Sequence, residues 1–390
     1  MNSTLTYSHP YEKVDSEFPI FSKLAEKEHE QVVVCSEPNI GLRAFIAIHD
    51  TTLGPALGGV RMWPYKNEDE ALRDVLRLSR GMTYKAAISH LNLGGGKAVI
   101  IGDPKKDKSE ELFRAFGRYI EGLGGRYITA EDVGIDPQDM EWVRMETKYV
   151  TGIPQSLGGS GDPSPVTAQG VYMGIKACAQ KAYGDSSLSR KSVAIQGAGH
   201  VSSHLAEFLQ KEGAELYICD IDADKANKVA GRTGAKVVDP EDIYDLDVDI
   251  YSPCALGGVI NDDTIERLSC HIIAGAANNV LEEESVHGPQ LMDKGIIYAP
   301  DYVINAGGLI NVSSELEGYN YERAHNQAAR IYDVILDILH YADQNNIHSH
   351  QAANILAEER ISKMGKIKKI YTSKSNFSGR LGEMYLRDRS

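Results

Sequence analysis

Two lysines and one aspartate stand out because the stretches around them are otherwise apolar or rich in glycine. Lys85 occurs in GMTYKAA, Lys97 follows in LGGGKAV, and Asp132 occurs in TAEDVG. A lysine with an ordinary pKa near ~10.4 is a base at neutral pH only where burial and a second cation lower that pKa. We therefore predict a site in which Lys97 is the base and Lys85 is the second cation. The alternative is that either lysine lies on a solvated face.

A second candidate site is the segment GAGHVS, which follows the apolar run SVAIQ and opens a helical pattern. In a dinucleotide-binding unit such glycines allow a tight turn and a close approach to the pyrophosphate, and the helix N-terminus offers free N–H groups. Asp220 ends the next predicted strand, and its charge would repel a 2′-phosphate, so NAD is the expected cofactor. The alternative is a structural turn that binds nothing. The residues predicted to bind the cofactor here are Gly197, Ala198, Gly199, His200, Val201, Ser202, which replaces the usual third glycine, and Asp220.

The elements that position these residues follow from hydrophobic periodicity. QVVVCSE and LRAFIAIHD read as strands, and EDEALRDVLRLSRGMTYKAAI reads as an amphipathic helix. Lys97 is expected where a turn enters the strand AVIIG, and Ser109 is expected to cap the helix that follows. Beyond residue 190, strands alternate with helices, which predicts a parallel doubly wound sheet. Two long helical patterns cover residues 322–369.

Length and composition restrict the class of protein. A chain of 390 residues is long enough for two domains. The Gly/Pro/Ser-rich segment at residues 152–165 predicts an interdomain hinge, although an ordinary surface loop would have a similar composition. The net charge of -14 contains no long block of like charges, which argues against nucleic acid or an anionic membrane as partner.

Cysteine spacing and the N-terminal sequence predict the compartment. The five cysteines are scattered and show neither C-x-x-C nor zinc-ligand spacing, so we expect a reduced cytoplasmic protein without a metal site. The N-terminus has no apolar segment behind a basic start, and no apolar run approaches the ~20 residues of a membrane span.

Longer stretches of the chain resemble the glutamate, leucine, phenylalanine and valine dehydrogenases, and most closely the leucine and phenylalanine branch. This resemblance extends over about residues 30–359 and implies reversible NAD-dependent oxidative deamination of an L-amino acid to a 2-oxo acid and ammonia. The stretches that carry it are IAIHDTTLGPALGGVRMWPY, GMTYKAA, LGGGKAVIIGDPKKDKS, TAEDVG, PSPVTAQGVY, CALGG, AGAANN and YAPDYVINAGGLINV.

The resemblance also implies roles for individual residues. Lys85 looks like the lysine that grips the substrate α-carboxylate, Lys97 like the base that activates water, and Asp132 like the carboxylate that exchanges protons with the substrate nitrogen. Further residues are assigned to substrate or cofactor, although Asn278 and Thr167 could be plain loop caps. They are Gly58 and Gly59 for close backbone approach, Asn278 for substrate and nicotinamide ribose, Thr167 for the nicotinamide carboxamide, and Ala255 for the cofactor.

The substrate side chain is predicted from Leu57, which stands where the glutamate branch has a lysine for the side-chain carboxylate. A buried charge without a partner is costly, so an apolar substrate is expected. Features of the leucine branch occur together with Gly96 and Leu309, which resemble the aromatic-specific members. We favour leucine and its branched relatives, with phenylalanine or tryptophan as the alternative. By resemblance, the pocket wall is completed by Ala130, Leu309 and Val312.

The expected fold class is α/β with two domains and C-terminal helices. The predicted parts are a substrate-binding and oligomerisation domain at 1–151, a Rossmann NAD-binding domain at 152–340, and at 341–390 a helix returning to the first domain plus a polar tail. The family resemblance implies a homo-oligomer with a small-molecule substrate and a cleft that controls water. A silent sensor of NAD or amino acid is the competing hypothesis, although such a protein would have lost the lysine pair.

Overall fold

The computed structural model describes residues 20–369, which form two compact units. The first unit contains the described residues up to Thr83 together with Leu93–Val150. The second contains Tyr84–Asn92 and the described residues from Thr151 onward. Within residues 20–369, none of the helices combines the length and apolar character that a membrane span needs. The predicted polar tail lies outside the described residues.

A mixed six-stranded sheet forms the first unit. Its strands are β1 (Gln31–Glu37), β2 (Leu42–Asp50), β3 (Ala56–Leu57), β4 (Val60–Trp63), β5 (Gly94–Ile101) and β6 (Tyr127–Ile128). Their order is β1-β2-β5-β3-β6, and β4 pairs in parallel with β5. All eight residues of β5 are buried, as expected for a strand covered on both faces.

The helices of this part of the chain pack apolar faces on the sheet. They are α1 (Ile20–Glu26), α2 (Glu68–Ile88), α3 (Glu110–Gly122) and α4 (Pro137–Arg144). Leu72 and Val75 of α2 join Phe45 and Val99 of the sheet in one buried apolar cluster. The strands β1 and β2, the helix α2 and the capping role of Ser109, which accepts a hydrogen bond from Leu112 N, are confirmed.

Lys97 does not lie where a turn enters a strand, and that prediction is wrong. The strand already begins at Gly94, so Lys97 is its fourth residue. The glycines that suggested a turn are needed for packing, because a Cβ at Gly94 would lie 2.0 Å from the Asp50 carbonyl oxygen. At Gly95 a Cβ would lie 2.1 Å from Thr83 N, in the helix that packs on this strand.

A parallel six-stranded sheet forms the second unit. Its strands are β7 (Ser192–Gln196), β8 (Glu215–Cys219), β9 (Lys236–Val237), β10 (Ile250–Pro253), β11 (Ile272–Ile273) and β12 (Ile297–Tyr298). The strands lie in the order β12-β11-β10-β7-β8-β9, and every pair is parallel. This is the order of a Rossmann fold, with the reversal of strand order between β7 and β10. The predicted doubly wound sheet is confirmed.

The helices of the second unit include the connections between these strands. They are α5 (Ser164–Tyr183), α6 (His200–Glu212), α7 (Ala223–Thr233), α8 (Asp262–Arg267), α9 (Glu284–Asp293), α10 (Asp301–Ile304), α11 (Gly307–Ser313), α12 (Tyr321–Ala329), α13 (Ile331–Asn345) and α14 (Ser349–Gly365). The prediction of two helices over 322–369 is wrong in number, since this described stretch contains α12, α13 and α14. Helix α12 ends just before Arg330. Helix α13 ends where Asn346 adopts a left-handed conformation with φ of 51°.

Within the second unit, the buried carboxylate of Glu315 anchors the segment rich in Gly, Pro and Ser. Glu315 is 6% exposed, and its Oε1 accepts hydrogen bonds from Gly152 N at 3.0 Å and from Ser160 N at 2.8 Å. The Ser160 hydroxyl donates to the same oxygen. Burial raises the pKa of Glu315, although the hydrogen bonds from Ser160 and Gly152 oppose this effect. The hinge role of this segment stays a prediction.

Candidate active site

The first unit brings Lys97 and Asp132 together. Lys97 reaches out of the buried strand β5, and its Nζ lies 3.0 Å from Asp132 Oδ2. Asp132 lies shortly after β6 in a stretch that runs beside β4, where Val60 N donates to Ala130 O and Met62 N donates to Val133 O. The Lys97 side chain is 7% exposed and that of Asp132 is 24% exposed. A buried amine thus contacts a carboxylate that solvent can still reach.

Arg61 is a third member of this cluster and is not among the predicted site residues. Its Nε donates to Asp132 Oδ2 at 2.8 Å, and its NH1 donates to Asp74 Oδ2 at 3.0 Å. The signal in the sequence was a single charge between two apolar residues, Val60 and Met62. Both of these neighbours are fully buried in β4. A lone charge in such a strand requires carboxylate partners.

Burial and neighbouring charges set the protonation of the pair. Burial lowers the pKa of Lys97, Asp132 opposes that effect, and the positive charge of Arg61 adds to the lowering. Burial alone would raise the pKa of Asp132, but Lys97 and Arg61 outweigh it, so the pKa of Asp132 is lowered. Arg61 is therefore a cation near Lys97, and the same role for Lys85 stays a prediction. An ionised carboxylate beside an amine that loses its proton readily is suited to proton transfer.

The predicted substrate glycines are required by packing in the first unit. A Cβ at Gly58 would lie 1.8 Å from Gly96 O, and a Cβ at Gly59 would lie 2.4 Å from Glu131 O. Their neighbours Leu57 and Ala130 are buried, at 1% and 7% exposure. This backbone crowding explains the glycines, and their approach to a substrate stays a prediction.

In the second unit Lys85 and Asn278 are joined through Asn305. Lys85 Nζ donates to Asn305 Oδ1 at 2.7 Å and lies 3.5 Å from Asn278 Oδ1. Asn305 is 6% exposed, and its Nδ2 donates to Asn278 Oδ1 at 2.7 Å and to Ala276 O at 3.1 Å. Asn305 was not predicted as a site residue, although it lies in the quoted stretch YAPDYVINAGGLINV. Its amide orients both predicted substrate-binding side chains.

Residues Gly197–Gly199 form the turn between β7 and α6, and His200–Ser202 are the first residues of α6. Gly197 has φ of 105°, which favours glycine, and a Cβ there would lie 2.8 Å from the Cβ of Ala255. Ala198 N donates to Asp220 Oδ2 at 2.7 Å, so the acidic residue contacts this turn directly. These residues lie at the carboxyl ends of β7, β8 and β10, where Rossmann folds bind dinucleotides. The crowded glycine turn and the helix start behind it fit a nicotinamide dinucleotide.

The other predicted cofactor residues differ in exposure. Ser202 is 1% exposed, so it packs as the usual third glycine would, whereas the His200 side chain is 86% exposed and Val201 is partly buried. Thr167 lies inside α5, where its hydroxyl donates to Pro163 O at 2.9 Å, so it is not a loop cap.

Helix α11 carries two of the predicted pocket residues. Leu309 is 7% exposed and Val312 is partly buried. The helix begins at Gly307 and Gly308, which pack against Thr167 of α5. Among residues 20–369 no three His, Cys, Asp or Glu side chains are grouped so that they could hold a metal ion.

Family models match most of the chain. The model described as Glu/Leu/Phe/Val dehydrogenase, dimerisation domain, matches residues 29–149. The model described as Glutamate/Leucine/Phenylalanine/Valine dehydrogenase matches residues 158–223 and 217–368. The resemblance stated from the sequence motifs is confirmed.

Similar proteins are known over nearly the same length. The chain is 56% identical to leucine dehydrogenase from Thermoactinomyces intermedius, an alignment that covers 90% of this chain and 96% of that protein. It is 51% identical to phenylalanine dehydrogenase from Bacillus thermotolerans, covering 92% and 94%. The crystal structure of L-tryptophan dehydrogenase from Nostoc punctiforme superimposes with a TM-score of 0.79 at 48% identity, covering 88% of this chain and 99% of that one. The chain therefore belongs to the glutamate, leucine, phenylalanine and valine dehydrogenase family and is an amino acid dehydrogenase, an oxidoreductase that works with a nicotinamide cofactor.

Proposed function

We propose that this chain oxidatively deaminates an apolar L-amino acid, with leucine and other branched-chain amino acids preferred and NAD as the cofactor. The observation that carries the proposal is the contact of 3.0 Å between the buried Lys97 amine and Asp132. The relatives named leucine dehydrogenase, at 56% identity, support the choice of substrate.

In this proposal Lys85 and Asn305 serve substrate binding, whereas Lys97 and Asp132 transfer protons. A bound nicotinamide dinucleotide supplies the acceptor for hydride from the substrate α-carbon. Lys85, oriented by Asn305, holds the substrate α-carboxylate by a charge-assisted hydrogen bond. Lys97 takes a proton from the water that attacks the iminium carbon, and Asp132 exchanges protons with the substrate nitrogen. The contact between Lys97 and Asp132 keeps the two proton-transferring groups side by side.

The preference for an apolar side chain is supported by Leu57. It is 1% exposed in β3, so this position offers no charge to a substrate carboxylate. Placing a substrate carboxylate against such a wall would leave it without a partner, which is costly. Phenylalanine or tryptophan is the second candidate substrate, favoured by Gly96 and Leu309 and by the relatives named for those substrates.

The choice of NAD is supported by Asp220. Its Oδ2 accepts the Ala198 N–H and its Oδ1 accepts the Asp222 N–H, which fixes a negative charge beside the glycine turn. That charge would repel the 2′-phosphate of NADP and could accept hydrogen bonds from a ribose. We also propose a homo-oligomer, on the basis of family membership, and a cytoplasmic location, which the five free cysteines support.

A panel of amino acids tests this function. We expect NADH formation from leucine, isoleucine and valine with kcat/KM well above that for glutamate, and a higher kcat/KM with NAD than with NADP. Asp220→Ala should narrow the difference between the two cofactors. Preference for glutamate would contradict the apolar pocket, and equal use of both cofactors would remove the role of Asp220. A protein that binds NADH but turns over no amino acid would be the silent sensor.

A further inference from the structure

Two cations contact the same oxygen of Asp132. Lys97 Nζ lies 3.0 Å from Oδ2, and Arg61 Nε donates to Oδ2 at 2.8 Å. Within residues 20–369, the Oδ1 atom of Asp132 receives no hydrogen bond or ion pair. The carboxylate is therefore held through one of its two oxygens, and its side chain is 24% exposed.

Arg61 is itself fixed from the opposite side. Its NH1 donates to Asp74 Oδ2 at 3.0 Å, and the Tyr65 hydroxyl donates to the same oxygen at 2.7 Å. Arg77 donates to the other oxygen of Asp74 at 2.9 Å. The Arg61 and Asp74 side chains are only 22% and 16% exposed, so solvent screens this pair incompletely. The planar guanidinium bridges two carboxylates that a lysine could not span in the same geometry.

We propose that Arg61 is a positioning residue, which holds Asp132 through Oδ2 so that Oδ1 is the atom that exchanges protons with the substrate nitrogen. This inference rests on the proposed function of Asp132 and adds a specific atom and a residue that acts through it. Arg61 does not touch the reacting atoms in this scheme. It restrains the rotation of the carboxylate and keeps a positive charge beside Lys97.

The electrostatic consequence has a definite direction. Arg61 lowers the pKa of both Asp132 and Lys97, because its charge favours the carboxylate and disfavours the ammonium. Removing that charge should raise the pKa of both groups. A rate that needs neutral Lys97 rises with pH through the pKa of Lys97, so the acid limb of the kcat profile should move to higher pH.

Two substitutions separate charge from position. In Arg61→Met both the charge and the bridge are lost, so kcat should fall by about 10²-fold, the effect of displacing a reacting group by ~1 Å, and the acid limb should shift to higher pH. In Arg61→Lys the charge remains but the bridge to both carboxylates is lost, so kcat should fall while the acid limb stays near that of the wild type. The KM for NAD should not change in either variant. Arg77→Met is the matched control, since it removes a more exposed arginine from Asp74 without a contact to Asp132.

A second measurement does not depend on activity. The pH dependence of Lys97 acetylation by acetic anhydride, followed by mass spectrometry, should shift to higher pH in Arg61→Met and not in Arg61→Lys or Arg77→Met. If Arg61→Met shifts the acetylation profile but the wild-type protein turns over no amino acid, the proposed function is overturned. The electrostatic role of Arg61 is then still supported. An unchanged acid limb and an unchanged acetylation profile in a folded Arg61→Met protein would overturn the inference. Equal kcat in Arg61→Lys and the wild type would overturn the positioning part.

Discussion

Among the four charged side chains of the Lys97 cluster, which are Lys97, Arg61, Asp74 and Asp132, Lys97 is the least exposed. Its surroundings favour the proposed role of base, because burial lowers the pKa of Lys97 and Arg61 lowers it further. Asp132 and, more weakly, Asp74 work in the opposite direction, so the pKa of Lys97 depends on the balance of burial and Arg61 against two carboxylates. Substitutions at this site should therefore change pH dependence as well as rate.

We predict that Lys97→Ala lowers kcat by about 10² to 10⁴-fold, the usual effect of removing a positioned base. NADH binding should stay nearly intact, since it depends on the turn at Gly197. Lys85→Ala should instead raise the KM for the amino acid strongly, because the carboxylate loses a charge-assisted contact. Initial rates at varied substrate concentration separate the two effects. Lys106→Ala is the control, because the Lys106 side chain is 77% exposed. A Lys97→Ala enzyme with near-normal kcat from about pH 7 to 10 would refute the role of Lys97 as base.

The sequence predicted Lys97 and Asp132 as members of one site, but it did not predict Arg61, which lies between Asp132 and Asp74. Lys97 and Asp132 were found because each stands in a distinctive motif. Arg61 joins carboxylates that are 13 and 71 positions away in the chain, and such pairings depend on tertiary structure. Asn305 was missed for the same reason, since its partners Lys85 and Asn278 come from separate elements.

At the level of elements, β5 shows how glycine can be a strand residue. Its first residues are glycines that neighbouring backbone and side-chain atoms crowd, so a pattern that suggested a turn belongs to a buried strand. Helix α5 was not predicted for a related reason. Most of the buried residues of α5 are small or apolar, and they lie on most sides of the helix. A helix that is buried all round lacks the polar face from which hydrophobic periodicity is recognised.

We predict opposite effects of two Gly→Ala substitutions on stability. Gly95→Ala should lower the free energy of unfolding by roughly 1 to 3 kcal/mol, because the new Cβ would meet Thr83 N at 2.1 Å and the strand and helix would have to separate. Gly81→Ala should raise it by about 0.4 to 1 kcal/mol, since Gly81 is exposed in α2 and a Cβ added there would have no other heavy atom within 4 Å to clash with. Urea unfolding midpoints measure both. A neutral Gly95→Ala would show that the contact between β5 and α2 relaxes easily.

For the whole molecule, the alternation of strands and helices was enough to predict a Rossmann-type unit. It could not predict the order of the six parallel strands, which depends on crossovers between distant segments. The mixed sheet of the first unit was less accessible to prediction. β3 and β6 have only two residues each, too few to show an alternating pattern.

The pH dependence of stability should show the contribution of Glu315. Because burial raises its pKa above the ordinary 4.5, its carboxyl group stabilises the fold at low pH, and this contribution is lost as pH rises through the raised pKa. We predict that Glu315→Gln becomes more stable relative to the wild type as pH increases from about 5 to 8. Unfolding midpoints of both proteins across that range provide the measurement. Glu317→Gln is the control, because the Glu317 side chain is 62% exposed. Parallel curves of unfolding midpoint against pH for Glu315→Gln and the wild type would contradict the prediction.

The attachment of the Gly/Pro/Ser-rich segment to Glu315 has a consequence for where this chain could be cut. Residues 155–158 are exposed, whereas Gly152 on one side and Ser160 on the other both donate to Oε1 of Glu315. A protease acting at this exposed tip would create two new ends, and each would remain hydrogen-bonded to the same carboxylate. New termini for a circularly permuted chain could be placed at the same peptide bonds, since the anchoring contacts lie outside them.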